Sequence, residues 1–209
     1  MPWKFPPFPG PHRAPAIRKK AKKYFPLAPS PGQGDNGKLI FCRSFGAFFL
    51  KTLNPEQLDA LTQQAVLSPR LRANLNVHPT LTDPIQRLAI AMEPGTYVRP
   101  HRHPHTWELL LPLRGRFLVL HFDPQGIVQR RTVLGTDCAL VENEAGAWHA
   151  VIALDPGCII FEVKHGPYRP LTEEDYTPWS PAAEAAPEAR AAIQAWYGKA
   201  ALGDRYPGA

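Results

Sequence analysis

The sequence predicts a mainly β protein, an antiparallel sandwich or barrel with one helix before it and one after. From Ile85 onward, short apolar runs recur and each is closed by turn residues. QRLAIAM runs to Glu93-Pro94-Gly95, RFLVLHF to Asp123-Pro124-Gln125-Gly126, AVIAL to Asp155-Pro156-Gly157 and CIIFEVK to Gly166-Pro167. Helical signals are confined to the stretches flanking that block. A chain of 209 residues holds one domain of ordinary size, or one domain and a tail.

The tail comes first. Residues 1–38 carry 8 of the 24 basic side chains, 9 of the 25 prolines and a single acid, Asp35. Proline and charge deny this stretch the apolar surface that would offset its ordering entropy, so it reads as disordered. It serves either as a polybasic anchor for RNA or anionic lipid or as a dispensable extension. Residues 39–209 hold 16 basic and 17 acidic side chains, so the net charge of +6 belongs to the tail. A near-neutral domain weakens a nucleic-acid reading, which needs a basic face on the fold to neutralise phosphates, and no specific nucleic-acid partner is expected. No apolar run reaches the roughly 18 residues of a membrane span, and proline and charge break up any secretory signal. Three cysteines, Cys42, Cys138 and Cys158, with no C-x-x-C spacing, fit a reducing compartment. The reading is a soluble, cytoplasmic protein.

Residues 39–84 form a lead-in. LIFCRSFGAFFL (39–50) reads as a strand bent at Gly46. Asn54-Pro55-Glu56-Gln57 then reads as a helix start, with Asn54 as N-cap, Pro55 at the first helical position and Gln57 three residues after the cap. Leu58, Leu61 and Ala65 follow at helical spacing, and Ser68-Pro69 ends the helix. The β block spans 85–180. Residues 181–209 are a helical tail, with an alanine-rich helix over 182–200 that carries Ile193 and Trp196 on the outside of the fold.

Chemistry concentrates in Gly95–Gly115. If 97–103 is extended, Tyr97, Arg99, His101 and His103 share one face, while Val98, Pro100 and Arg102 point the other way. Two imidazoles at i and i+2 converge on one point, and Glu108 opens a new strand beside them. His149 opens another strand and shares a face with Val151 and Ala153. Imidazoles with a carboxylate suit one divalent Fe, Mn, Ni, Co or Zn ion better than Ca or Mg. Arg99 either holds a substrate anion or pairs with an internal acid such as Glu162. Glu162 and Lys164 alternate with Ile159, Phe161 and Val163, so their polar face either lines the pocket or meets water. Tyr97, Arg99, Glu162 and Lys164 are therefore the candidates for substrate binding or proton transfer. Asn74, Asn76 and His78 alternate as a candidate polar lid on a loop. His105 reads as solvated and His121 as a sheet-surface residue.

These residues match the cupin superfamily. Its first motif, G-x5-H-x-H-x3–4-E-x6-G, is met at every position by Gly95, His101, His103, Glu108 and Gly115. The second, G-x5-P-x-G-x2-H-x3-N, is met at Gly146 and His149, but Glu144 stands at its proline position and Ala153 at its asparagine. Over roughly residues 50–180 the chain also resembles the cupin-fold metalloproteins of the WbuC family. SPRLRANLNVHP (68–79), DPIQR (83–87), Trp107 before the motif glutamate, GAWH (146–149) and FEVKHGPY (161–168) carry that likeness. The resemblance implies a double-stranded β-helix, or jelly-roll barrel, in a bacterial protein that pairs into a homodimer through edge strands. It implies one bound divalent transition metal held by His101, His103, Glu108 and His149. It also implies a small-molecule substrate, a sugar derivative of surface-polysaccharide biosynthesis. With the ion as Lewis acid the reaction would be an isomerisation or epimerisation. An Fe(II)-dependent dioxygenase and a non-catalytic metal- or sugar-binding module are the alternatives.

Overall fold

A computed structural model describes residues 50–208. The basic tail, the strand expected at 39–50 except for Leu50, and Cys42 lie outside the described residues. Leu50 itself is in no regular element. The first element is α1 (Pro55–Leu67), with the capping box the sequence encodes. Asn54 Oδ1 accepts from the Gln57 N–H at 2.8 Å and Gln57 Oε1 accepts from the Asn54 N–H at 3.0 Å. Ser68 is its C-cap.

Eight strands follow: β1 (Arg72–Asn76), β2 (Ile85–Met92), β3 (Glu108–Arg114), β4 (Phe117–Phe122), β5 (Val128–Leu134), β6 (Val141–Asn143), β7 (Trp148–Ala153) and β8 (Cys158–His165). They form two antiparallel sheets, ordered β1-β2-β8-β3-β6 and β5-β4-β7. This interleaving of distant strands is that of a jelly-roll, double-stranded β-helix. The helix α2 (Pro187–Lys199) follows β8, and the residues after it bond back to the start of β5, as Val128 N–H donates to Asp204 O at 2.9 Å. Among the described residues, no helix is long and apolar enough to cross a membrane.

Period-two alternation gives every strand an inner and an outer face. Between the sheets lie Leu110, Phe117, Val119, Leu134, Val151 and Ile160. Full burial of side chains of this size contributes about 1.5–3 kcal/mol each. The outer face of the larger sheet (Ala89, Ala91, Ile159) packs under Leu61 and Ala65 of α1. The outer face of the smaller sheet (Leu118, Leu120, Ala150) packs under Ile193 and Tyr197 of α2. Tyr197 and Ile193 are fully buried in this contact and Trp196 packs against it partly buried.

The stretch 97–103 is not a regular strand. Its ladder is reduced to a bridge between His101 and His149, with mutual N–H···O bonds of 3.0 and 2.9 Å. Pro100, whose carbonyl faces 175–177, offers no N–H on that side, and Pro104 follows the stretch. On its other side the same stretch bonds to 175–177, through Arg102 N–H to Asp175 O (2.9 Å) and Thr177 N–H to Pro100 O (3.0 Å). In sheet terms it is the missing fourth strand of the smaller sheet, next to β7.

Candidate metal centre

The register brings together residues that are far apart in sequence. Across the larger sheet, Gln86 stands opposite Lys164, Lys164 opposite Glu108, and Glu108 opposite Asn143. On the facing sheet His121 stands opposite His149, which bridges to His101. Two polar rows thus meet face to face at one end of an otherwise apolar interior. Glu108 (3% exposed) and His149 (1%) are buried there.

His103 Nε2 lies 3.1 Å from Glu108 Oε1, and His149 Nε2 lies 3.0 Å from Glu108 Oε2. The Nδ1 atoms of His101 and His149 each lie 2.9 Å from a carbonyl, Arg99 O and Ala147 O, and donate to it. Both rings therefore present a bare Nε2 to the site, the tautomer a metal ligand needs. His149 Nε2 is buried and has no hydrogen-bond partner, because its approach to Glu108 is poorly aligned. The ligand atoms of His101, His103, Glu108 and His149 all lie within 4.8 Å of one another. Atoms bound 2.0–2.2 Å from a common ion stand about 3–4.2 Å apart, so a slight closure of the four suffices. The donor set and the orphaned imidazole nitrogen fit a divalent transition metal.

Burial pulls the His101 imidazole well below its ordinary pKa, and the neighbouring His149 adds to the effect. Burial also opposes charge on His149, but the Glu108 carboxylate outweighs it and the pKa is raised. Burial would push Glu108 up, yet the His149 charge and the His103 hydrogen bond hold it well below the usual carboxylate range. Glu108 and His149 thus favour each other's charged forms, and a metal binding to the cluster would compete with a proton for His149 Nε2.

The turn before His149, where the chain departs from the second motif, is a tight one. Ala147 N–H donates to Glu144 O at 3.1 Å and Gly146 sits at φ 82°, as position i+2 of a type II turn requires. Gly146 N–H donates to His103 O at 2.9 Å, which ties the loop of one ligand to the loop of another.

Glu162 and Lys164 face this interior. The apolar side of β8 (Ile159, Phe161) lies outward under α1, so the polar side lines the site. Lys164 Nζ is 2.5 Å from Glu162 Oε1 and 3.7 Å from Glu108 Oε1. Tyr97 and Arg99 border the same cavity but are tied elsewhere. Tyr97 Oη donates to Pro181 O at 2.7 Å. Arg99 donates to Glu173 (2.9 Å), Ser180 Oγ and Thr177 O, and stacks over Tyr176. Its acid partner is thus Glu173 rather than Glu162. Val98 packs against the inner apolar cluster, so strict alternation fails in this irregular stretch.

Asn74 and Asn76 lie on strand β1 and not on a loop. Asn74 borders the cavity, and both are exposed. His78 is buried, with Nδ1 accepting the Arg87 N–H at 2.9 Å. His105 is exposed, as expected. His121, expected on the sheet surface, is half-buried and belongs to the site. Its Nε2 donates to Asn143 Oδ1 (2.7 Å), and Asn143 Nδ2 donates to Glu108 Oε2 (3.0 Å). The alternation Phe117, Val119, His121 pointed inward. Asn143 had no comparable signal, since only its pairing opposite Glu108 gives it a role.

Fold and cluster together define a jelly-roll sandwich with a three-histidine, one-glutamate centre. Residues 53–134 match a family described as a domain of unknown function (DUF6016). No curated protein matches the chain. Similar solved structures include KdgF from Halomonas sp. (16% identity, 49% of this chain and 85% of that one, TM-score 0.39). A cupin superfamily protein from Desulfitobacterium hafniense DCB-2 is similar at 14% identity, 45% and 76% coverage and TM-score 0.37. The DMSP lyase DddQ from Ruegeria pomeroyi DSS-3 is similar at 19% identity, 48% and 49% coverage and TM-score 0.39.

Proposed function

We propose that this chain is a metalloenzyme of cupin type that binds one divalent transition metal through His101, His103, Glu108 and His149 and acts on a small polar molecule. The observation that carries the reading is the convergence of four ligand atoms within 4.8 Å of one another, with the buried His149 Nε2 turned to Glu108 and no other polar group. Bound there, the ion supplies Lewis acidity, polarising a substrate oxygen or acidifying a water. The choice of an enzyme over a binding module is supported by Glu162 and Lys164, which give the cavity a proton-transfer pair. Burial and the nearby Glu108 charge raise the Glu162 pKa, so its carboxyl holds a proton more readily than a free one. Burial opposes the Lys164 ammonium, but the two carboxylates outweigh it and keep it charged. Lys164 thereby orients Glu162 Oε1 and screens it from Glu108. The His121–Asn143 pair holds Glu108 Oε2 in place.

The WbuC resemblance makes a sugar derivative of surface-polysaccharide biosynthesis the first substrate to try, in an isomerase- or epimerase-like reaction. Elemental analysis of protein purified without chelator or nickel column tests the metal. About one equivalent of transition metal is expected, and it should be absent from a His101→Ala/His149→Ala variant. Negligible metal, or metal unchanged in that variant, would overturn the proposal. Turnover of iron-loaded protein with and without oxygen separates a dioxygenase from the isomerase reading.

A further inference from the structure

The cavity beside the cluster measures about 450 Å³, within the range of small-molecule sites. Its floor is apolar, with Ile90, Met92, Leu110 and Ile160. Its charged lining is unbalanced. Five cationic side chains border it, Arg70, Arg72, Arg99, Lys164 and Arg169, against two carboxylates, Glu108 and Glu162. Arg99 is paired with Glu173, Lys164 with Glu162, and Glu108 belongs to the histidine cluster.

Arg70, Arg72 and Arg169 remain. Among the described residues, none of their side chains makes an ion pair or a hydrogen bond. Arg70 and Arg169 are exposed at the rim, while Arg72 is half-buried. Strand alternation explains its direction: Ala73 and Leu75 pack outward against the α1 cluster, so Arg72 and Asn74 face inward, opposite Met92 and Ile90. Burial and the like charge of Arg70 pull the Arg72 pKa down. The Glu162 carboxylate acts weakly the other way but makes no ion pair with Arg72, so a half-buried guanidinium beside another cation still gains from an anion that joins it. Its planar fork matches the oxygens of a carboxylate or phosphate.

We infer that Arg72, with Arg70 and Arg169 at the rim, forms an anion-binding subsite beside the His101–Glu108 cluster, and that the substrate is a small molecule carrying a carboxylate or phosphate group. The apolar floor accommodates its carbon skeleton. The functional meaning rests on the metalloenzyme reading, but the subsite can be tested without metal.

The experiment is a ¹H–¹⁵N titration of the metal-free full chain, with inorganic phosphate in one arm and malonate in the other. Saturable shifts at Arg72, Asn74 and the facing β2 amides are expected, and the tighter probe identifies the head group. Arg72→Gln should weaken binding about tenfold, as loss of a charge-assisted contact implies. The exposed Arg70→Gln/Arg169→Gln pair, which cannot disturb the core, should weaken it severalfold. Arg116→Gln, remote and paired with Asp155, should leave it unchanged. Absence of cavity shifts with both probes, shifts confined to residues 1–38, or affinity unmoved by the Arg70/Arg169 variant would overturn the inference. In His101→Ala/His149→Ala protein the anion should still bind, so loss of the metal reading and loss of the subsite give different results.

Discussion

Asn143→Ala tests how the candidate metal centre is held. Asn143 is buried and joins two groups: its Nδ2 donates to Glu108 Oε2 at 3.0 Å and its Oδ1 accepts from His121 Nε2 at 2.7 Å. A hydrogen bond to a charged acceptor contributes about 1.5–3 kcal/mol, and truncation also leaves the His121 nitrogen without its acceptor. A total loss of about 2–4 kcal/mol corresponds to a drop in melting temperature of roughly 4–16 °C for a domain of this size. Removal of such an outer partner of a ligating carboxylate lowers metal affinity roughly 10–100-fold. The assay is thermal denaturation of the metal-free protein together with competition for zinc against a chromogenic chelator. An Asn143→Ala protein that folds, melts within a degree of the parent and holds zinc within twofold of it would refute the assignment of Asn143 as the support of Glu108.

Lys164→Met leaves Glu162 and Glu108 without the cation between them and should cost about 3–5 kcal/mol in urea unfolding, whereas Glu162→Gln/Lys164→Met should recover part of that loss. Equal costs for the single and double variants would dismiss the pair. Gly115→Ala should destabilise more than Gly146→Ala in the same assay. Both glycines have positive φ (70° and 82°), worth about 1–2 kcal/mol to any residue with a Cβ. Of the two, only at Gly115 would the new methyl also meet a neighbour, Cys158 Sγ, where overpacking adds about 1–3 kcal/mol. Of the two described cysteines, Cys138 should react first with a thiol reagent at pH 8. Cys158 is fully buried, and burial raises its pKa, so its thiolate is depleted there and appears only as the pH rises further or the protein unfolds. Equal labelling rates would contradict this.

What the sequence reveals of this molecule is what depends on neighbours along the chain. The Asn54–Gln57 capping box, the turn after each apolar run and the spacing of His101, His103 and Glu108 are local patterns, and each has its counterpart in the structure. Strand register is not local. Nothing near Asn143 in sequence places it opposite Glu108, and nothing near Lys164 places it between Glu108 and Glu162. Alternation correctly put Glu162 and Lys164 on one face but could not tell which face was inside, because α1 covers the apolar side of β8. At 97–103 alternation put Val98 on the opposite face from Tyr97, Arg99, His101 and His103, yet Val98 also turns inward, and in place of a regular strand the backbone forms isolated bridges at His101. Arg99 went to Glu173, a partner 74 residues away on a segment with no strand signal.

The bonding of the 100–102 stretch on both its sides also bears on association between molecules. Strand β7 would otherwise end the smaller sheet with a bare row of amide and carbonyl groups, the kind of border onto which another chain's strand can add. The bridge at His101 occupies part of that border, and 175–177 then occupies the far side of His101's own segment. Pro100 contributes no N–H for a foreign strand to bond. The residues that aim His101 into the interior therefore also guard the sheet against growing by accretion, and loss of the 175–177 cover would endanger solubility as well as ligand geometry.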